Sequence, residues 1–71
     1  MKIVISRKQG LYLNTSPVTK EKVPYGTILE KIPNDAKYHS KFIAMGIGTE
    51  YFIGNTYLSK KIELQQITIL P

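Results

Sequence analysis

The chain has no cysteine among its 71 residues, so neither a disulfide framework nor a thiolate metal site is possible. No stretch approaches the ~20 apolar residues that span a membrane. The first ten residues, MKIVISRKQG, lack the apolar run and the small-residue cleavage site of a secretory signal. We therefore expect a cytoplasmic protein without membrane insertion, and the initial Met1 favours a complete small protein.

Acidic residues are also scarce. Five Asp and Glu residues stand against ten Lys and Arg residues, which gives a net charge of +5. This charge favours association with polyanions or with an acidic partner. The acids show no spacing typical of catalytic carboxylate pairs or metal ligands; they are Glu21, Glu30, Asp35, Glu50 and Glu63. We therefore expect no metal and no cofactor.

Catalytic constellations are missing as well. His39 is the only histidine, and it lies in the polar stretch Lys37–Lys41, which we interpret as a loop. The neighbouring Ser40 does not become a nucleophile by adjacency alone, because a triad also needs an orienting group and an oxyanion site. The pair Gly46-x-Gly48 is too short to cradle a phosphate. We therefore expect no catalytic residue and no enzymatic activity.

Helical periodicity is the next absence, since no window of about 11 residues carries an i, i+3, i+4, i+7 apolar stripe. Short runs rich in β-branched and aromatic residues predict strands instead, at residues 2–6, 11–13, 27–32, 41–47, 50–53 and 62–70. The last run changes phase at Gln65-Gln66, which predicts a β-bulge. The sequence therefore predicts an all-β fold.

Turn residues separate these runs. Residues 18–22 are predicted to form a charged loop, and residues 33–35 a turn that begins at Pro33. Gly46 and Gly48 are expected to supply positive φ for a tight hairpin.

An open sheet of these strands would leave two unpaired edges, whereas closure into a barrel removes them. We therefore expect one domain, residues 1–71, formed by a small barrel of five to six short antiparallel strands. The N-terminal and C-terminal strands are expected to pair and close this barrel. A dimer through the C-terminal strand is the alternative that the sequence leaves open.

Four segments, GLYLNTSP, PYGTILEKI, KFIAM and EYFIGNTYL, resemble the bacterial SH3-like (SH3b) domain over about residues 10–61. The resemblance implies an SH3-like barrel with Leu11 and Leu13 in its core. It also implies one 3-10 turn near residues 54–58, which directs Leu58 into the core and Tyr57 onto an outer groove. Phe52 stands where this family usually has tryptophan.

Aromatic residues are abundant without any tryptophan: the chain has five Tyr and two Phe. Phe42 is expected in the core, whereas Phe52 suits either the core or the surface. Exposed tyrosines give rigid contact area with a polar tip, as binding surfaces do. We therefore predict a partner-binding groove formed by Tyr12, Tyr25, Phe52 and Tyr57.

Lysines are expected to flank this groove, and the candidates are Lys20, Lys22, Lys60 and Lys61. They are also compatible with an ordinary solvated surface. The predicted function is non-catalytic binding of a host or partner protein. A small basic module of this kind suits an inhibitor or accessory protein of a phage or mobile element that acts by occupying a host protein. The alternatives are peptidoglycan binding, which the family resemblance implies, and nucleic-acid binding through a basic face.

Overall fold

The computed structural model describes residues 1–34 and 36–71. Within these residues the chain forms seven strands and one helix: β1 (Lys2–Ile5), β2 (Leu11–Asn14), β3 (Lys20–Val23), β4 (Ile28–Ile32), β5 (His39–Ala44), β6 (Glu50–Gly54), α1 (Asn55–Glu63) and β7 (Ile67–Leu70). The strands make one antiparallel sheet in the order β3-β2-β6-β5-β4-β1-β7, curled into half a barrel. The predicted all-β, barrel-like class is confirmed, but the described residues form seven strands rather than the five to six predicted. No helix in the described part is long and apolar enough to cross a membrane.

The two terminal strands pair as expected, but they do not close the sheet. β1 pairs with β7 in an antiparallel ladder that runs from Lys2 opposite Leu70 to Ile5 opposite Ile67. The other edge of β1 is taken by β4, so β7 forms one end of the sheet and β3 forms the other. The predicted closure by these strands is therefore wrong, because β1 lies between β4 and β7, so their pairing adds β7 as an edge strand and does not join the two ends of the sheet.

The core lies on the concave face of the sheet. Alternation places Leu11 and Leu13 inside and leaves Tyr12 exposed, as the sequence predicted. Phe42 is fully buried, which confirms its predicted place in the core. The other buried apolar residues are Ile3, Ile5, Val23, Leu29, Ala44, Tyr51, Ile53, Leu58 and Ile67.

The edge strand β3 differs from the sequence-based expectation. The predicted loop at residues 18–22 contains the start of β3, which pairs with β2 from Leu11 opposite Val23 to Asn14 opposite Lys20. β3 is an edge strand, so its lysines project into solvent and its sequence lacks the apolar alternation of a half-buried strand.

The predicted 3-10 turn is wrong, because α1 occupies residues 55–63. Its apolar residues Leu58 and Ile62 lie one helical turn apart and pack on the core. The predicted strand at residues 62–70 is correct only from Ile67 onward. The phase change is the end of α1, where Gln65 has φ +60° and the Gln66 N–H donates to the Lys61 carbonyl at 2.8 Å, rather than a bulge.

The predicted hairpin glycines are confirmed: Gly46 and Gly48, between β5 and β6, have φ of +86° and +84°. The predicted turn at residues 33–35 includes Asp35, which lies outside the described residues. The structure therefore does not test that turn or the prediction for Asp35 as one of the acidic residues.

Gly10 is the glycine whose replacement should destabilise the fold most. It has φ +77°, and a Cβ there would lie 2.5 Å from the Val23 main-chain oxygen. Gly26 is the matched control, since it has φ +86° but no heavy atom within 4 Å of the same Cβ position. We expect Gly26→Ala to lower the free energy of unfolding by about 1–2 kcal/mol. We expect Gly10→Ala to lower it by about 3 kcal/mol or more, because the backbone must also move.

Urea unfolding followed by circular dichroism measures both changes. Equal losses of stability in the two variants would show that the approach of β3 to Gly10 is not a close one.

Candidate functional site

The site begins where β2 and β6 separate. Among the described residues these strands pair through Asn14 opposite Phe52. The ladder between β2 and β3 directs the main-chain groups of Tyr12 toward β6. The hydroxyl of Tyr57, on α1, donates to that Tyr12 carbonyl at 3.2 Å. The helix therefore supplies a hydrogen-bond donor to the Tyr12 carbonyl, which faces β6 at the point where β2 and β6 separate.

A recess of about 190 Å³ lies at this separation. Its lining includes Tyr12, Asn14, Lys20, Phe52, Gly54 and Tyr57. Three of the four predicted aromatic residues thus come together, and we call Tyr12, Phe52 and Tyr57 the aromatic groove. Tyr12 is 59% exposed and Tyr57 37%, while Phe52 is half-buried. Phe52 therefore belongs to the outer surface, which resolves the two alternatives that the sequence left for it.

Tyr25 lies elsewhere. It is 61% exposed and does not line this recess. It belongs to the turn after β3, where the next residue, Gly26, donates its N–H to the Ile5 carbonyl at 2.8 Å. This contact places Tyr25 near the end of β1 rather than at the separation of β2 and β6.

The predicted basic flank is only partly assembled around the groove. Lys20 lines the recess, and Lys22 lies directly opposite Tyr12 in the ladder of β2 and β3. The Lys61 Nζ lies 5.1 Å from the centre of the Tyr57 ring. Lys60 is exposed on α1 and is not among the residues that line the recess.

Lys41 is a groove residue that the sequence-based prediction missed. It lies opposite Phe52 in the ladder of β5 and β6, and its Nζ is 5.5 Å from the centre of the Phe52 ring. The same Nζ lies 3.0 Å from a carboxylate oxygen of Glu50. This ion pair is partly exposed, so it adds little stability, and it mainly keeps a cation beside Phe52.

A second recess, of about 320 Å³, continues from the groove past Phe52. Its lining residues are Asn14, Ser16, Pro17, His39, Phe52 and Gly54. The His39 ring meets the Phe52 ring edge-on, with ring centres 5.5 Å apart and an angle of 77° between the planes. The predicted loop at residues 37–41 is correct only for residues 37 and 38, since β5 begins at His39. We call this second space the His39 recess.

The surroundings of Tyr57 in the groove raise the pKa of its hydroxyl. Burial raises the pKa of Tyr57 above its ordinary value of 10.0, and the positive charge of Arg7 offsets part of that rise. The Arg7 guanidinium is held in place because its Nη1 donates to the Gly10 carbonyl at 2.9 Å. Tyrosine is protonated at neutral pH, so the Tyr57 hydroxyl donates to the Tyr12 carbonyl there.

Tyr51 lies on the inner face of β6 beneath the groove, where it is 3% exposed. Its hydroxyl donates to a carboxylate oxygen of Glu21 at 3.0 Å. Burial raises the pKa of Tyr51, and the hydrogen bond and negative charge of Glu21 raise it further. This contact joins β6 to the edge strand β3.

These contacts predict how stability depends on alkaline pH. The folded-state pKa of Tyr51 lies above the unfolded value of 10.0, so its contribution is complete below pH 10.0 and is lost as pH rises through the folded-state pKa. We expect the free energy of unfolding to fall less between about pH 9 and pH 11 in Tyr51→Phe than in the wild type. Urea titrations at a series of pH values measure this difference. Tyr38→Phe is the control, since Tyr38 is 76% exposed, and an identical alkaline loss in wild type and Tyr51→Phe would contradict the prediction.

The described residues hold no group of three or more His, Asp or Glu side chains placed to bind a metal ion. The aromatic groove and the His39 recess instead offer aromatic surface, ammonium groups and an imidazole, an arrangement that suits contact with another molecule. Comparisons of the chain with models of protein families, with curated proteins and with solved structures found no match.

Proposed function

We propose that the chain is a non-catalytic binding module whose aromatic groove holds an acidic, partly apolar segment of a partner protein. One observation carries this proposal: each aromatic ring of the groove has a lysine beside it. Lys22 lies opposite Tyr12, Lys41 lies near Phe52, and Lys61 lies near Tyr57.

Such a surface combines two kinds of recognition. The rings supply rigid apolar area that loses little conformational entropy on binding, which is why aromatic residues dominate binding hot spots. The ammonium groups favour carboxylates, and they accelerate and orient encounter with an acidic partner. The net charge of +5 acts in the same direction over longer distances.

The dimensions of the two recesses favour side chains over a whole ligand. The first recess, at about 190 Å³, is smaller than the ~300–1,000 Å³ of typical small-molecule sites, and the His39 recess, at about 320 Å³, is at their lower limit. Phe52 lines both, so a chain that crosses Phe52 could place one side chain in each recess. An extended segment of a partner fits this arrangement.

The placement of the lysines favours a protein over single-stranded nucleic acid. Bases bind such surfaces by stacking on open aromatic faces. At Phe52 and Tyr57 a lysine ammonium lies 5.5 Å and 5.1 Å from the ring centre. A stacked base would have to displace these lysines, whereas a carboxylate would contact them where they are.

An SH3-like fold of the SH3b type is part of the proposal. Leu11, Leu13 and Leu58 are buried, and Tyr57 lies in the groove, which is the arrangement the resemblance implies. The nine-residue helix α1 is a departure from the expected turn. A cytoplasmic location, and a role as an inhibitor or accessory protein of a phage or mobile element, remain predictions that the identity of the partner tests.

Capture from nuclease-treated bacterial lysate tests the proposal. Immobilised wild type and Phe52→Ala are compared, and every retained protein is then purified and titrated directly against both. We expect one acidic protein to bind the wild type and to be lost from the variant. Purified peptidoglycan and single-stranded oligonucleotides are tested in parallel, the latter over a range of salt. Sedimentation with peptidoglycan, or steeply salt-dependent oligonucleotide binding without any protein partner, would replace the proposal with the corresponding alternative.

A further inference from the structure

The two edges of the sheet differ in how they are protected against pairing with another strand. β3, at one edge, has the sequence KEKV, and Pro24 follows it directly. Charged residues and proline are the usual means by which proteins prevent edge strands from adding further strands. β7, at the other edge, has the sequence ITIL, and residues 64–71 include no charged side chain. The β7 edge therefore lacks the protection that the β3 edge has.

The ladder with β1 shows which main-chain groups β7 leaves available. The Ser6 N–H donates to the Gln66 carbonyl at 3.0 Å, and Val4 lies opposite Thr68. In an antiparallel ladder, the main-chain groups of every second residue bond to the same neighbouring strand. The N–H and C=O groups of Gln66, Thr68 and Leu70 therefore point toward β1. The N–H and C=O groups of Ile67 and Ile69 consequently point away from the sheet, and within the described residues no strand accepts them.

Exposed apolar side chains lie in the same part of the chain as these available groups. Ile69 is 50% exposed and Leu64 is 48% exposed. Ile62 and Ile67 line an open recess of about 420 Å³ beside them, together with Ile69. An apolar surface next to unpaired main-chain groups is a template for strand addition, which satisfies both at once.

The chemistry of this edge identifies its occupant. An acidic segment would find no cation in residues 64–71, in contrast to the aromatic groove. The edge instead suits an uncharged apolar strand, and β7 is itself such a strand. We propose that β7 pairs with the β7 strand of a second copy of this chain, antiparallel about a two-fold axis at Thr68.

This register satisfies the exposed main-chain groups of both copies. Ile67 would lie opposite Ile69 of the second copy. The main-chain N–H and C=O groups of both residues point away from their own sheet, so they can bond to each other across the contact. Thr68 would face Thr68 of the second copy as a pair without main-chain hydrogen bonds, where the Cα atoms lie about 4.5 Å apart. The apolar side chains of the two edges would then form one continuous surface. Such an isologous pairing closes as a dimer and leaves no β7 edge to extend.

Pairing of β7 with the β3 edge of another copy is less favourable. That arrangement would place Lys20 or Lys22 beside the apolar edge without an acidic neighbour on β7. It would also be head-to-tail, which leads to rings or open filaments rather than to a two-fold dimer. The two-fold arrangement avoids both consequences, and it leaves β2 and β6 out of the contact, so this inference is independent of the proposed function.

Sedimentation equilibrium over a range of protein concentrations tests the dimer. We expect wild-type chains to shift from monomer to dimer mass as concentration rises. Ile69→Lys should raise the dissociation constant at least tenfold, because it places a charge in the contact. Ile47→Lys is the matched control: Ile47 is 69% exposed in the hairpin between β5 and β6, and its replacement should leave the dissociation constant unchanged.

A single introduced cysteine tests the register. The chain has no cysteine, so Thr68→Cys can form a disulfide only between two copies. The expected separation at the two-fold axis lies within the range of about 4.4–6.8 Å that disulfides span. We expect mild oxidation to link Thr68→Cys into a covalent dimer far faster than Ile47→Cys.

The disulfide test also decides the question if Ile69→Lys proves to be unfolded. A monomer at every concentration, a dimer that withstands Ile69→Lys, or equal disulfide formation at the two positions would each overturn the inference.

Discussion

Phe42→Ala is expected to lower the free energy of unfolding by about 3–5 kcal/mol, the cost of replacing a large buried aromatic side chain with alanine. Phe42 is fully buried in β5, opposite Tyr51 of β6. A domain of this size has a stability near the lower end of the usual range of about 5–15 kcal/mol. The variant should therefore retain at most about 2 kcal/mol of stability, so that a measurable fraction of it is unfolded at 37 °C. Thermal and urea unfolding, followed by circular dichroism, measure the loss.

The second phenylalanine provides the control. Phe52 lies on β6 with its ring on the outer face, half-buried against His39 and Lys41. Phe52→Ala removes the same atoms from the same sheet, but it leaves no cavity in the core, and we expect a cost of about 1 kcal/mol. Equal destabilisation by the two replacements would mean that the inner and outer faces of the sheet have been assigned wrongly.

Phe52→Ala is expected to weaken partner binding more than the replacement of an exposed tyrosine outside the groove. Phe52 lines both recesses and lies between the Tyr57 end of the site and the His39 end. Residues at the centre of an interface typically cost about 2 kcal/mol or more when truncated. That value corresponds to a loss of affinity of roughly 30-fold for the partner. Isothermal titration of the purified partner against wild type and Phe52→Ala measures the ratio directly.

Exposed tyrosines outside the groove are the matched controls for this loss. Tyr25 and Tyr38 are 61% and 76% exposed, and neither lines a recess beside Phe52. Tyr25→Ala and Tyr38→Ala should each change the dissociation constant less than threefold, since residues outside the contact contribute little. A loss for Tyr25→Ala comparable to that for Phe52→Ala would restore Tyr25 to the site and contradict the groove as the structure arranges it.

The period-two pattern was sufficient for the strands that have one buried face. Leu11 and Leu13 alternate with Tyr12, and Phe42 alternates with Ile43, because each of these strands has one face on the core. β3 was missed because its face toward solvent is lysine, and its inner position Glu21 is polar. The hydroxyl of Tyr51 donates a hydrogen bond to the Glu21 carboxylate, and these two residues are 30 positions apart in the sequence.

The helix α1 and the set of residues that form the site could not be predicted from local sequence patterns, because both depend on tertiary structure. α1 is nine residues long, so it is shorter than the windows in which helical periodicity is visible, and Leu58 and Ile62 are its only core contacts among the described residues. The order of the strands then decides which aromatic residues meet. Tyr12 and Phe52 are 40 positions apart in the sequence but lie on paired strands, whereas Tyr25 is carried to the end of β1. No local pattern contains that information.

The most direct test of the binding site is a map of backbone amide shifts as the purified partner is added to ¹⁵N-labelled protein. A bound segment should perturb the amides of β2, β6 and the first turns of α1, together with His39 and Lys41 of β5. The amides of β4, and of the turn that contains Tyr25, should remain unchanged. Perturbations concentrated on β4 and β1, with the amides of Phe52 and Tyr57 unaffected, would contradict the aromatic groove as the binding site.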